Sequence, residues 1–361
     1  MAPSLRMMIR NPNAVMMFVC GLAGAICVTI LVNLVGAPAG SQGPHSLMAT
    51  GNPSPEQDAV ASTCPEWDLV AAVQKQMQRE YCTRHFDGNP CRTDISKTKL
   101  HLPDSTSVDF FLYKSADIVS GSIQSSGQWE AHMSSGLVDV LTTVAEHKGL
   151  PREQVHLLDI GGNVASHTVY VQAAGFSVLV FEPMPQNEDI VRSNLCVADP
   201  DQERVTYFTK GLGAEPTLCK QYSHLHSNQG DGVVFCNGEL PDDKTLVLRG
   251  QMEVDKLDNV LLPCNGGMDL PPYITIGALK MDVEGFEPYV LKGARKFLAK
   301  ARIPFIVFEI GRLQEEERKS VLQFFYDLGY QASTKGFSDN LAQPADLSGV
   351  EDVFLVLPMG N

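Results

Sequence analysis

From residue 155 onward, short apolar runs alternate with helical patterns, and few folds accept that order. "VHLLDI" (155–160), "SVLVFE" (177–182), "RVTYFT" (204–209), "ALKMDV" (278–283), "PFIVFEI" (304–310) and "DVFLVL" (352–357) read as strands. "ASHTVYVQAAG", "PQNEDIVRSNLC", "EPYVLKGARKFLAK" and "QEEERKSVLQFFYDLG" read as the helices between them. Strands that are apolar throughout are covered on both faces, which marks a parallel sheet between helical layers. The pattern predicts a doubly wound α/β domain with a mostly parallel sheet. An earlier helix spans "EAHMSSGLVDVLTTVAEHKG", with Leu137, Val140, Leu141 and Val144 at helical spacing and Gly149 as its stop. Residues 211–275 interrupt the series with a long insert of poor periodicity.

The amino-terminal segment has a different chemistry. "AVMMFVCGLAGAICVTILVNLVG", residues 14–36, carries no charge. As a helix it would span roughly 34 Å, enough to cross a hydrocarbon core of about 30 Å. Arg6 and Arg10 precede it, and no acidic, lysine or arginine residue follows until Glu56. That asymmetry predicts a signal anchor with residues 1–13 in the cytosol and everything beyond 36 across the membrane. A cleaved signal peptide is the alternative, with "APAG" (37–40) as its small-residue site, but signal cores are shorter, about 7–15 residues. The expected protein is a single-pass type II membrane protein of the endomembrane system, Golgi or ER, with a lumenal domain. Residues 37–104 then read as a stem and cysteine-containing linker, and 105–361 as the folded domain. Seven of nine cysteines lie beyond the apolar run, which suits disulfides in an oxidising lumen. Cys219, His224, His226 and Cys236 have zinc-compatible side chains but no familiar zinc spacing, so a Cys219–Cys236 disulfide with two surface histidines is expected. The net charge of −14 argues against binding nucleic acid by phosphate neutralisation.

Ligands of doubly wound sheets bind beyond the carboxyl ends of the strands, where "DIGGN" (159–163), "FEP" (181–183) and "DVEG" (282–285) sit. A dinucleotide site wants G-x-G-x-x-G to admit a pyrophosphate. Here Gly161 and Gly162 are adjacent, no third glycine follows, and Asp159 would repel a pyrophosphate but suit an ammonium or sulfonium. Glu182 ends the second strand, where an acid accepts ribose hydroxyls. The ordered set fits S-adenosylmethionine better than NAD.

"LLDIGGNVASHTVYVQAAGFSVLVFEPMPQN", "LKMDVEGFEPYVLKGA" and "IPFIVFEIG" together resemble the FkbM-type family of S-adenosylmethionine-dependent methyltransferases, over roughly residues 125–357. The resemblance implies a Rossmann-like class I methyltransferase fold and methyl transfer, usually to oxygen. It implies that Asp159, Gly161 and Asn163 line the cofactor's amino-acid end, and that Glu182 holds the ribose with Pro183 shaping the turn. Asp282 and Glu284 would then lie beside the reacting methyl, and Trp129 and Glu130 in "SGQWE" would close over the site. The sequence departs from the family at Ala165, where another glycine is usual.

Read as a strand end, "LKMDVEGFE" (279–287) points Lys280, Asp282 and Glu284 to one face. Asp282 is then the expected general base, Glu284 positions the acceptor, Lys280 keeps one carboxylate ionised, and Glu287 only opens the next helix. A divalent metal shared by Asp282 and Glu284 is possible but not favoured. His167 is either an acid–base group or a partly exposed helical histidine, and Glu309 either a pocket acid or a cap. The acceptor is expected to be a glycan or other hydroxyl compound. Two other readings stay open: a type II glycosyltransferase using "DVE" as a D-x-E-like metal motif, and an inert relative serving as an interaction module.

Overall fold

The computed structural model describes residues 65–262 and 274–359, apart from 87, 89–91, 339–346 and 348, and the backbone of 14–19 and 28–33. The chain separates into two units, Met1–Val60 and Ala61–Asn361.

In the first unit, strands β1 (Ala14–Val19) and β2 (Val28–Asn33) pair antiparallel. The predicted helix over 14–36 is therefore not what these twelve residues form, and the rest of that segment lies outside the described residues. Six of the twelve are Val, Ile or Thr, which suit a strand as well as an apolar helix. Among the described residues, no helix is long and apolar enough to cross a membrane.

The second unit opens with helix α1 (Pro65–Arg84) and a hairpin of β3 (Ile95–His101) and β4 (Ser107–Tyr113). The hairpin runs across residue 105, where the sequence reading put a boundary, because Phe110–Tyr113 is fully buried against the helices that follow. Next come α2 (Ile118–Ser126), α3 (Ala131–Lys148), β5 (Val155–Ile160), α4 (Ser166–Ala173), β6 (Ser177–Phe181), α5 (Pro185–Ala198) and β7 (Val205–Phe208). The insert supplies β8 (Gly211–Leu212), β9 (Thr217–His224), β10 (Val233–Cys236), β11 (Leu246–Asp255) and α6 (Leu257–Leu261). The chain closes with β12 (Thr275–Met281), α7 (Glu287–Gly293), α8 (Arg295–Ala301), β13 (Phe305–Glu309), α9 (Glu315–Asp327), β14 (Gln331–Ser333) and β15 (Asp352–Val356).

Seven strands form the main sheet in the order β14-β15-β13-β12-β5-β6-β7, with β15 antiparallel to both neighbours and the other pairs parallel. Alternation along each strand sorts its residues between two cores. Leu158, Ile160, Leu279, Met281 and Phe308 pack with α6–α9. Leu157, Val178, Val180, Ala278 and Val307 pack with α3–α5 and the β3–β4 hairpin. The doubly wound α/β architecture is as expected.

The insert is a second sheet, ordered β10-β9-β11-β8, which periodicity did not show. Two features hide it. β9 buries polar Gln221 and Ser223, and a bulge at Leu248/Gly250 breaks the two-residue period of β11. The expected Cys219–Cys236 disulfide links the register-paired residues of β9 and β10, while His224 and His226 are exposed. A second disulfide, Cys82–Cys196, ties α1 to α5.

Candidate active site

Three strand ends meet where the glycines lie. Gly161 N–H and Gly162 N–H both donate to Phe181 C=O, at 2.9 and 3.1 Å, and Asp282 N–H donates to Ile160 C=O at 3.0 Å. A β-carbon on Gly161, whose φ is +87°, would stand 1.7 Å from the Asp282 carbonyl oxygen. The glycine is thus required by the joining of β5, β6 and β12, before any ligand is considered.

The parallel register sets Lys280 directly beside Asp159. The buried Lys280 Nζ donates to Gly161 C=O at 2.8 Å and lies 3.7 Å from Asp159 Oδ1 and 3.4 Å from Asp282 Oδ2. Burial opposes its charge, but Asp282, Asp159 and Glu130 push the ammonium above its ordinary value. Lys280 therefore clamps the acids that end β5 and β12. Asp159 is only 1% exposed and its Oδ2 accepts from Thr168 Oγ1 at 2.6 Å.

Gly161, Asn163, Glu182, Pro183, Asp282 and Glu284 line one cavity, whose other wall comes from the insert, including Gln221 and Met252. Asp159 and Lys280 stand behind that wall rather than on it. Glu182 accepts from Met184 N–H and Asn163 N–H, both at 2.9 Å. Burial nevertheless pushes its carboxyl up to about 7. Asn163 Oδ1 and Asp159 Oδ1 are buried acceptors without a hydrogen bond.

Glu284 departs from the expected geometry. β12 ends at Met281, so strand alternation does not extend to residue 284, which lies in a turn with φ +60° followed by Gly285 at φ +93°. Its carboxylate pairs with Arg312 Nε, and Arg312 also holds Asp231 at 2.8 Å. Burial and the nearby Asp231, Asp282 and Glu309 push the Glu284 carboxyl up. Asp282 and Glu284 therefore do not present one D-x-E metal face.

The acids that do converge with Asp282 are Glu287 and Glu309, one oxygen from each of the three lying within 4.8 Å of the others. Glu287 does more than open α7. It is 1% exposed, and its Oε1 accepts from Val283 N–H at 2.8 Å. Burial, with Asp282 and Glu287 beside it, pushes Glu309 up to about 9.

With this geometry in place, residues 159–332 match the family model of the methyltransferase FkbM domain. Over these residues the chain is similar to the FkbM methyltransferase domain. No curated protein matches the sequence. Similar solved structures include methyltransferase FkbM from Methylobacillus flagellatus KT, at 16% identity over 56% of this chain and 43% of that one, with a TM-score of 0.35. They also include an O-methyltransferase from Bacillus cereus in complex with SAH, at 12% identity over 64% and 83% of the two chains, TM-score 0.34. A third is the O-methyltransferase TomG from Streptomyces achromogenes in complex with SAM, at 12% identity over 62% and 80%, TM-score 0.34. The chain thus spans less than half the length of the first of these.

In the matched region, the departure at Ala165 has a local cost. Ala165 adopts φ +67° and is fully buried, a conformation in which a β-carbon costs about 1–2 kcal/mol and glycine nothing. Asn163, at φ +49°, is a residue type that tolerates this region better.

Around the cavity stand two groups that the sequence marked, His167 and Glu130, and two that it did not, Arg312 and Asp231. His167 is 5% exposed, not a surface histidine. Its Nδ1 meets Ser134 Oγ at 2.8 Å, and its Nε2 lies 3.4 Å from Glu130 Oε2. Glu130 has φ +41° at the start of α3 and its charge helps hold the Lys280 ammonium, but neither Trp129 nor Glu130 lines the cavity. Arg312 sits three residues after Glu309, and that spacing was the available signal. Asp231 lies in the insert, where no pattern marks it.

Proposed function

We propose that this chain is an S-adenosylmethionine-dependent O-methyltransferase whose acceptor is a hydroxyl of a glycan or another hydroxyl compound. The observation that carries the reading is the shared cavity, which sets Gly161, Asn163, Glu182 and Pro183 on the same space as Asp282. The residues fit the cofactor. Asn163 Oδ1 is a buried acceptor in need of a donor, which an amino group supplies, and a carboxylate has room for ribose hydroxyls beyond the two backbone donors on Glu182. When bound, the cofactor supplies a methyl group already activated on a sulfonium. The protein's own task is to align the acceptor and take its proton.

Asp282 is placed for the second part. Its side chain is 39% exposed, it faces the cavity, and Lys280 fixes it from behind. The acceptor side widens into a neighbouring groove that shares Val234, Glu284 and Phe286 with the cavity. There Phe286 and Tyr289 stack at 4.7 Å, and Tyr289 is half exposed, a surface that suits the apolar face of a sugar ring.

Calorimetry with S-adenosylmethionine tests the reading. The wild-type chain should bind it and not NAD, and Glu182→Ala should weaken binding by roughly 1.5–3 kcal/mol. Ribose hydroxyls donate to the ionised carboxylate, so affinity should fall as pH drops below about 7, where Glu182 takes up its proton. Unchanged affinity in the variant would remove Glu182 from the cofactor site.

A lumenal placement of the second unit belongs to the same proposal, supported by the uncharged run 14–36 behind Arg6 and Arg10 and by two disulfides in that unit. On intact vesicles, residues 61–361 should resist protease until detergent is added. Digestion without detergent would end that placement.

A further inference from the structure

The register of the sheet carries the backbone beyond its last paired residues, Met281 and Phe308, so Asp282 and Glu309 leave neighbouring strands side by side. The first residue of α7, Glu287, folds back onto the same point. One carboxylate oxygen from each lies within 4.8 Å of the others. An acidic cluster alone says little, but here a second observation points to a ligand. Glu287 is 1% exposed and spends Oε1 on the Val283 N–H, which leaves Oε2 buried with nothing to accept from. Glu309 Oε2 is likewise buried and unpartnered.

Local charge points the same way. Six carboxylates crowd these strand ends: Asp159, Asp231, Asp282, Glu284, Glu287 and Glu309. Lys280 is shared between Asp159 and Asp282, and Arg312 between Asp231 and Glu284. Among the described residues, no basic nitrogen forms an ion pair with Glu287 or Glu309. The buried Glu287 carboxylate, with no ion pair of its own, is costly to keep.

We infer that Asp282, Glu287 and Glu309 form a binding site for an oxygen-seeking divalent cation. Oxygens within 4.8 Å of one another can share one such ion: opposite ligands stand up to about 4.6–5.2 Å apart on Ca²⁺ and about 4.2 Å or less on Mg²⁺. Asp282 opens to the cavity and gives the ion its path in. Three protein oxygens leave coordination positions for water, or for an acceptor hydroxyl if the methyl-transfer reading holds. The cation site itself does not depend on that reading.

The full chain, stripped with chelator, would be titrated with Ca²⁺ by calorimetry and with Mn²⁺ by electron paramagnetic resonance. The expected result is one saturable site per chain at about 1 mM or tighter. Glu287→Gln and Glu309→Gln should each weaken uptake at least tenfold, and Ca²⁺ should displace Mn²⁺. Asp282→Asn, at the open end of the cluster, is the variant that needs no core rearrangement, and it should weaken uptake as well. No saturable uptake by the wild-type chain, or uptake unchanged in all three variants, would overturn the site and leave a shared proton as what holds these acids together. S-Adenosylmethionine binding, measured on the same samples, keeps the two proposals apart. Ca²⁺ uptake without cofactor binding would defeat the methyltransferase reading and leave the cation site standing.

Discussion

Asp282→Asn should lower turnover by roughly 10²–10⁴-fold while leaving affinity for S-adenosylmethionine nearly intact. The carboxylate ends β12 at the cavity, 3.4 Å from the Lys280 ammonium. The asparagine is nearly the same size, so the wall of the cavity survives and only the proton acceptor is lost. The residues proposed for the cofactor, Gly161, Asn163, Glu182 and Pro183, follow β5 and β6 and do not include this side chain. The measurement is kcat at saturating cofactor beside a calorimetric cofactor titration. Normal turnover in the variant, with chelator present, would remove Asp282 as the general base.

Gly161→Ala should be strongly destabilising, costing on the order of 3–5 kcal/mol and abolishing cofactor binding. The added methyl would meet backbone rather than a flexible side chain, 1.7 Å from the Asp282 carbonyl oxygen. Neither partner can retreat, because Gly161 N–H is bonded to Phe181 C=O and Asp282 N–H to Ile160 C=O. Relief requires the ends of β5 and β12 to part, which dismantles the crevice. Gly149→Ala separates this effect from backbone strain. Gly149 ends α3 at φ +61° with nothing within 4 Å of an added β-carbon, so it should cost only about 1 kcal/mol. Thermal melts of both variants give the comparison, and equal losses would show that left-handed strain, not the close approach, is what Gly161 relieves.

The sequence by itself determined the sheet and the position of its ligand crevice. Apolar strands and amphipathic helices are written in local periods of two and 3.6, and a parallel sheet places every strand-end motif on one edge. "DIGGN", "FEP" and "DVEG" were legible for that reason, and Asp159, Glu182 and Asp282 do end or follow β5, β6 and β12. The fold of 211–255 was not legible, since buried Gln221 and Ser223 and the bulge in β11 erase its period. Tertiary structure alone decided the partners of each acid. Glu284 turned to Arg312 because the strand stops at Met281 and the backbone crosses into positive φ, a change that no alternation rule contains. Glu309 came to Asp282 through the register of two strands more than twenty residues apart, and Glu287 came back to them through a tight turn. Side-chain type is written locally, but the charge that a carboxylate faces depends on which strand lies beside it, and only the assembled sheet fixes that.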